Sequence, residues 1–480
     1  MSEEANLSDL RAAPVLRRYR DLPGPRGIPL IGNGHQVRAT RFHQQLEAWA
    51  QQYGKVFRLR IGPRRLMVAS DAASMSAILR DRPDGFRRPT RHGNLIREMG
   101  FDQGLFFAND EVWKRQRRMV MSAFNPTHVK AYFPSLLKVT GRLEKRWQAA
   151  RSAGDTIDLQ ADLMRFTVDA ISGLAFGVEV NTLESDDDII QRHLNRIFPA
   201  LGRRALGAVP YWRYVRLPSD RALDRSVAEV KAAIEGFIAA ARRRLDDDPE
   251  RREQPRNLLE AMIVAADVEG GGLDDRDIAG NVLVMLVAGE DTTANTIAWL
   301  IHFLHRHPDA RQRARDEVLR VAPTVEGFTM EQLGALDYVE ACVHEAMRLK
   351  PVAPVLPLEL VRDATVAGVD VPAGTIVVAL LRAAAVDAAH FPEPSQFRPE
   401  RWLRSEASSS SRLSMPFGAG PRLCPGRYLA LLEIKMAMAM LLGHFEIESL
   451  RTLEGDTPHE VFAFAMGPSP MQMRLAPGRP

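Results

Sequence analysis

The chain has 480 residues, 45% of them hydrophobic and 26% charged, with a formal net charge of +4. That balance belongs to a soluble globular protein and excludes a fibrous or disordered chain; so mild a charge gives no sign of a nucleic-acid partner, although local basic patches could dock an acidic protein. Only two cysteines, no secretory apolar core, and an opening MSEEANLSDLRAAPVLRRYR too polar to span a bilayer point to a cytoplasmic protein without a membrane anchor.

Length alone suggests about three domains, yet no linker divides the chain and no repeat is visible. Residues 1–21 read as a charged, flexible lead-in and residues 22–480 as a single domain. Leu22 to Asn33, LPGPRGIPLIGN, is too rich in Pro and Gly for helix or strand and reads as a stiff extended segment. Val56 to Ser70 alternates apolar and polar residues about Gly62-Pro63, the pattern of a β-hairpin. Phe86 to Asn109 reads as an irregular loop that holds GLFF, Gly104 to Phe107. Trp113 and Arg117 lie four apart on a helical stretch, so an indole N–H and a guanidinium share one face and can hold a carboxylate. Lys114, Arg115 and Arg118 leave other parts of that helix basic. Residues 130–250 are helix-rich, with Pro199, Pro210 and Pro218 interrupting the stretch from Phe198 to Ser219.

A long helix is predicted from about Asp274 to His307, closed by Pro308 and roughly 50 Å long. Its centre, VAGEDTTANT, sets Glu290, Asp291, Thr292 and Thr293 into an apolar run beside Gly289, where each polar side chain costs about a few kcal/mol unless partnered. Such a local conflict marks a working site. Tyr338 to Leu349 is a further helix, with Glu345 and Arg348 three apart on one face and Cys342 reading as inert core. PVAPVLPLEL and strand-like segments with turns at Gly368 and Pro372-Ala373-Gly374 follow, then FRPERW, Phe397 to Trp402. Val461 to Arg474 reads as a final hairpin.

The chain is organised around Phe417 to Gly426, FGAGPRLCPG, which precedes an apolar, Met-rich helical stretch from Tyr428 to Leu442. A cysteine in a Gly-rich loop beside a helix N-terminus is favoured as thiolate by the helix dipole and free N–H groups. Gly418, Gly420 and Gly426 let a large planar ligand lie against the backbone. A thiolate held so is a good axial ligand for haem iron, and Arg422 is placed to meet a propionate. The run fits F-x-x-G-x-R-x-C-x-G at every fixed position and resembles the haem-binding loop of the cytochrome P-450 superfamily, the haem-thiolate monooxygenases.

The resemblance extends from about Leu22 to the C-terminus and implies a mainly α-helical prism with a small β lobe, haem b lying between the long central helix and the helix after the cysteine. It implies Cys424 as iron ligand, with Phe417, Gly418, Arg422 and Gly426 around the cofactor and Trp113 and Arg117 on a propionate. The run Ala288 to Thr293 matches the family's oxygen-activation pattern, in which Gly289 opens a groove for dioxygen and Asp291 and Thr292 manage protons. Glu345, Arg348 and Arg401 match the E-x-x-R motif and its arginine partner, a structural triad. Phe106, Ala353, Val355, Leu356 and Met466 are the implied pocket residues, although Phe106 reads equally well as ordinary core. Residues 198–219 would form the lid of the substrate channel. The family's usual arginine after the E-x-x-R turn is replaced by Leu358-Glu359-Leu360, with Arg362 further on, which leaves the second propionate without an evident partner.

The expected activity is insertion of one atom of O2 into a lipophilic molecule such as a fatty acid, terpenoid or steroid-like compound. Electrons would come ultimately from NAD(P)H, through a separate ferredoxin or flavodoxin-like donor and its reductase, to a soluble monomer of bacterial type. The rivals are a haem-thiolate enzyme that uses peroxide or only rearranges its substrate, and a haem-based sensor without turnover.

Overall fold

The computed structural model describes residues 17–124, 126–185, 189–207, 209–268, 272–325, 327–403 and 413–477; the lead-in expected at 1–21 falls mostly outside them. The helical body is built about the long helix Asp275–Arg306. Asp274 caps it by accepting from the N–H groups of Arg276 and Asp277, and the Asp277 carboxylate returns a bond to the Asp274 N–H, a reciprocal box that fixes the start. His307 ends it, and Pro308 opens the next helix, Pro308–Val321, at a position where the missing N–H costs nothing. Twenty side chains of the central helix are buried, so it is a core element throughout.

Its most extensive partner is helix Leu159–Phe176. The two helices touch most closely at Gly289, where a Cβ would stand 2.9 Å from Ile171. Helix Arg427–His444, apolar on every face from Leu429 to Leu442 apart from Glu433 and Lys435, passes beneath. Helices Pro126–Ala153, Ile189–Leu206 and Pro218–Asp247 complete this side. Pro199 does not interrupt its segment: helix Ile189–Leu206 runs through it. The buried face with Leu194, Ile197, Phe198 and Leu201 outweighs one missing backbone bond.

The β lobe is a five-stranded sheet in the spatial order Val56–Ile61, Arg64–Ala69, Ile376–Leu380, Val355–Leu360, Phe86–Arg87. Only the pairing of Arg64–Ala69 with Ile376–Leu380 is parallel. One face packs on helix Phe42–Tyr53 and the other on helix Ala72–Arg80. The predicted hairpin is present, with Gly62 at φ +59° in its turn.

Two expectations give way. The segment 86–109 is not irregular, for it contains helix Thr90–Glu98. The Thr90 N–H is capped at 2.8 Å by the carboxylate of Glu359, on a strand 269 residues later. The tail is not one hairpin either. Glu460–Phe462 pairs with Met466–Pro468, but Met471–Leu475 turns away to pair with Ile447–Thr452 and Ile157–Asp158.

A buried charge cluster pins the first of those tail strands. Glu460 accepts from His43 at 2.7 Å, Gln44 at 3.0 Å, Arg382 and Lys350, while Arg382 also reaches Glu47 at 2.8 Å. Several cations around one carboxylate hold Glu460 far below the ordinary range despite its burial.

Candidate functional site

The cysteine loop is closed by the Cys424 N–H donating to the Phe417 carbonyl at 3.0 Å. Gly418 and Gly420 take φ of +75° and +70°, the left-handed region. A Cβ on Gly420 would strike the Leu79 carbonyl at 2.4 Å, so that glycine is required by packing on helix Ala72–Arg80. A Cβ on Gly418 would meet no protein atom, which leaves that side of the loop open to a ligand. Helix Arg427–His444 begins with Gly426 as its cap.

Cys424 is half-buried in this concavity. Burial pushes its thiol up, while the Gly426 N–H and the charges of Arg117 and Arg427 pull it down without prevailing. The expected stabilising groups are therefore present but do not suffice to make a thiolate. A metal cation on the sulfur would supply what is missing, because coordination deprotonates a thiol outright.

Around the loop stand several cations, with Asp110 the carboxylate that acts on Arg422. Arg422 donates to the Ala108 carbonyl at 2.7 Å and to Asn109 at 3.3 Å, and its guanidinium lies 4.6 Å over the Trp113 ring. Its Nε has no partner, and burial with Arg82 and Arg117 nearby lowers its pKa to about 9. Arg82 is 4% exposed, and neither its Nε nor its Nη2 has an acceptor. Arg88 stacks 3.9 Å from the centre of Phe106 with its own Nε enclosed and unmatched. Buried unpaired guanidinium groups are strongly unfavourable unless an anion joins them. A group with two carboxylates beside a thiolate-bound metal satisfies this set, and the residues present thus fit haem. Sequence reasoning missed Arg82 and Arg88, since no helical spacing singles them out. Arg362, the expected alternative, lies outside the cluster: it is exposed and donates to the Asp84 carbonyl at 2.9 Å. Glu359 is occupied by Arg87 at 2.7 Å and by the Thr90 cap.

On the central helix, Ala288 is exposed although its neighbours are buried, and Thr292, one turn on, is half-exposed. The Thr292 hydroxyl donates to the Ala288 carbonyl at 2.6 Å, the Asn295 amide to the Asp291 carbonyl at 2.7 Å, and the Thr296 hydroxyl to the Thr292 carbonyl at 2.7 Å. Thr292, Asn295 and Thr296 are thus satisfied along their own helix, which stays continuous, whereas Thr293 turns to Glu433 on helix Arg427–His444. Burial alone raises the Asp291 carboxyl to about 6. Gly289 differs from expectation, because its bare side faces Ile171; the glycine permits close helix packing there, and the space it leaves is filled.

Behind the site, Arg348 pairs with Glu345 through Nη2 at 2.7 Å and Nε at 2.8 Å, both residues wholly buried. Arg348 also donates to the carbonyls of Ala385, Pro394 and Gln396. Glu345 accepts from Arg401 Nε at 3.3 Å, from the Arg398 N–H and from the Trp402 indole at 2.9 Å. The three predicted residues meet, and Trp402 is a fourth member not anticipated.

A cavity of about 270 Å³ lies between the central helix, helix Ile189–Leu206 and the Glu460–Pro468 hairpin. Phe198, Val287, Glu290, Asp291, Asn295 and Ala465 are among its walls. The expected pocket residues distribute differently. Phe106 touches Phe464 at 5.6 Å between ring centres, and Phe464 touches Phe198 at 5.1 Å, an aromatic chain that reaches helix Ile189–Leu206. Val355 is consumed by the core against helix Phe42–Tyr53, whereas Leu356, pointing the other way, packs on the opposite face of the sheet. Ala353 is exposed just before that strand, and Met466 is fully buried with its N–H on the Val352 carbonyl.

A cysteine loop beside buried arginines that lack acceptors is the kind of site a haem-thiolate protein carries. The chain belongs to the cytochrome P450 family, whose profile matches residues 22–475. It is 28% identical to cyclooctat-9-en-7-ol 5-monooxygenase of Streptomyces melanosporofaciens, over 93% of each chain. It is 27% identical to cytochrome P450 3A6 of Oryctolagus cuniculus, over 89% of this chain and 86% of that one. The haem domain of cytochrome P450DA superposes with a TM-score of 0.82 at 25% identity, over 96% of this chain and 98% of that one. The protein is accordingly a cytochrome P450 monooxygenase, an oxidoreductase that uses haem and O2.

Proposed function

We propose that Cys424 is the proximal iron ligand and that Asp291 and Thr292 deliver protons for insertion of one oxygen atom into a lipophilic substrate. The observation that carries this is the meeting of the Cys424 loop with carboxylate-seeking Arg82, Arg88 and Arg422. These, with Trp113 and Arg117, would hold the propionates, and Phe417 and Gly418 would lie against the ring. When bound, haem supplies the electron transfer and oxygen activation. The chain's own residues exclude water, orient the substrate and move protons. Asp291, near 6, can take a proton from solvent and pass it on at neutral pH. The Thr292 hydroxyl, at rest on the Ala288 carbonyl, can turn to hold a proton at the reacting oxygen.

Apolar walls at Phe198, Val287 and Ala465 favour a hydrophobic substrate. The Streptomyces relative, named for cyclooctat-9-en-7-ol, supports the same class. Exposed Arg118 and Arg427, with half-buried Arg115, support docking of an acidic ferredoxin or flavodoxin-like donor. Lys435 does not belong to that surface: it is buried and bonded to Glu340 at 2.6 Å.

The test is product formed per reducing equivalent, with peroxide assayed in parallel. Cys424→Ser should abolish the red-shifted carbonyl band of the reduced protein. Thr292→Ala should keep consuming reductant while releasing peroxide in place of product, and Asp291→Asn should slow turnover by about 10²-fold. Unchanged coupling and rate in both would favour a peroxide-using or non-oxidative enzyme.

A further inference from the structure

The cavity beside Asp291 offers a ligand mostly one kind of polar contact. Val287, Glu290, Asp291 and Asn295 follow one another at helical spacing, so a single face of the central helix looks into it. Phe198 of helix Ile189–Leu206 and Ala465 of the tail hairpin supply apolar walls. Among the described residues no Lys, Arg or His lines it. At about 270 Å³ it is at the small end for a ligand chamber, so the body it encloses is compact.

The amides of the wall are committed within the protein. Gln160 donates from Nε2 to the Ser469 carbonyl at 2.9 Å and accepts through Oε1 from the Met471 N–H at 2.8 Å. Asn295 turns its Nδ2 to the Asp291 carbonyl at 2.7 Å. Its Oδ1 is aimed at Gly467 in the hairpin wall, where a Cβ would strike it at 2.1 Å. The glycine thus leaves that oxygen room to act as an acceptor. Glu290 is 3% exposed. A carboxylate accepts along about four directions, so Glu290 can take a donor from a ligand besides the bonds it makes within the protein.

A ligand carboxylate would find no cation to pair with in this cavity and would lie beside two carboxyl groups, an unfavourable meeting of like charges in a poorly solvated space. A hydroxyl fits the same walls. It donates to Glu290 or Asn295 and can accept in turn from Asp291, whose carboxyl burial raises to about 6. We propose, on the oxygen-insertion reading above, that Glu290 and Asn295 hold a hydroxyl group of the substrate, so that this enzyme takes compact lipophilic alcohols and turns away the corresponding carboxylic acids. Fatty acids then leave the range of candidate substrates, and small terpenoid alcohols stay within it.

The test is optical spin-state titration of the haem-loaded protein with probes of one skeleton: adamantane, adamantanol, its methyl ether and adamantane carboxylate. The alcohol should bind about tenfold or more tighter than the ether, which keeps the oxygen and loses the donor, and the carboxylate should bind weakest. Glu290→Met should bring the alcohol down to the affinity of the ether, with adamantane bound at least as well as before. Asn295→Leu should narrow the same ratio and serves as the independent variant if Glu290→Met does not fold. Glu290→Gln, whose amide can donate, should improve binding of the carboxylate. Equal binding of alcohol, ether and carboxylate overturns the inference and leaves the lipophilic-substrate reading standing. So does a preference for the alcohol that survives both Glu290→Met and Asn295→Leu. If no probe, adamantane included, shifts the spin state of a protein whose reduced carbonyl band is intact, the substrate reading of the cavity falls together with the inference.

Discussion

Thr293 on the central helix donates a hydrogen bond to Glu433, which is buried on the helix that follows Cys424. Burial raises the Glu433 carboxyl to about 8, and the Thr293 bond pulls the other way. The folded protein therefore holds this proton more tightly than the unfolded chain does. The stability linked to it is fully present below about pH 4.5 and is lost as pH rises through about 8. The urea midpoint should fall between about pH 5 and pH 8.5, and Glu433→Gln should flatten that fall. Equal slopes for the two proteins would contradict the assignment.

The cluster around Glu345 should fail as a unit. Removing one partner strands the others in the core, so Arg348→Met or Glu345→Leu should lose about 3–5 kcal/mol. Trp402→Phe, which removes one indole bond to a carboxylate, should cost about 1.5–3 kcal/mol. Thermal unfolding of the purified variants separates these magnitudes, and a neutral Trp402→Phe would exclude the indole from the cluster.

Arg82 and Arg88 should retain the cofactor without touching turnover chemistry. Each charge-assisted bond to a carboxylate contributes about 1.5–3 kcal/mol, so Arg82→Gln or Arg88→Gln should speed haem loss by roughly tenfold or more. Transfer of haem to apomyoglobin measures this directly. Arg362→Gln, at an exposed side chain already bonded to the Asp84 carbonyl, should leave the rate unchanged.

Asp291 should set a limb of the pH–rate profile. Acting as donor it works protonated, so turnover should decline as pH rises past about 6. That limb should vanish in Asp291→Asn and persist in Thr292→Ala. A decline at the same pH in Asp291→Asn would move the titration to another group.

What the sequence made legible is what short spacing encodes. Cys424 stands in a contiguous loop, Glu345 and Arg348 are three apart, and Asp291 and Thr292 are adjacent polar residues in an apolar helix. What stayed hidden depends on segments meeting. Helix Thr90–Glu98 owes its cap to Glu359, and Arg88 acquires meaning only beside Phe106 and Arg422. Trp402 becomes a member of the triad only once the chain returns to Glu345. The contact of Gly289 with Ile171 was likewise hidden, since spacing marks a missing side chain without saying which neighbour lies beside it.

The bond between His43 and Glu460 joins positions 417 residues apart. During synthesis the cluster of His43, Glu47, Lys350 and Arg382 lacks its central carboxylate until residue 460 has emerged. The hairpin that Glu460 anchors, with Ala465 and Gly467, is also a wall of the cavity beside Asp291. A nascent chain arrested before residue 460 thus holds His43, Lys350 and Arg382 without the carboxylate they share, and it leaves the chamber open on one side. Closing the chamber waits on the same residue that joins the cluster.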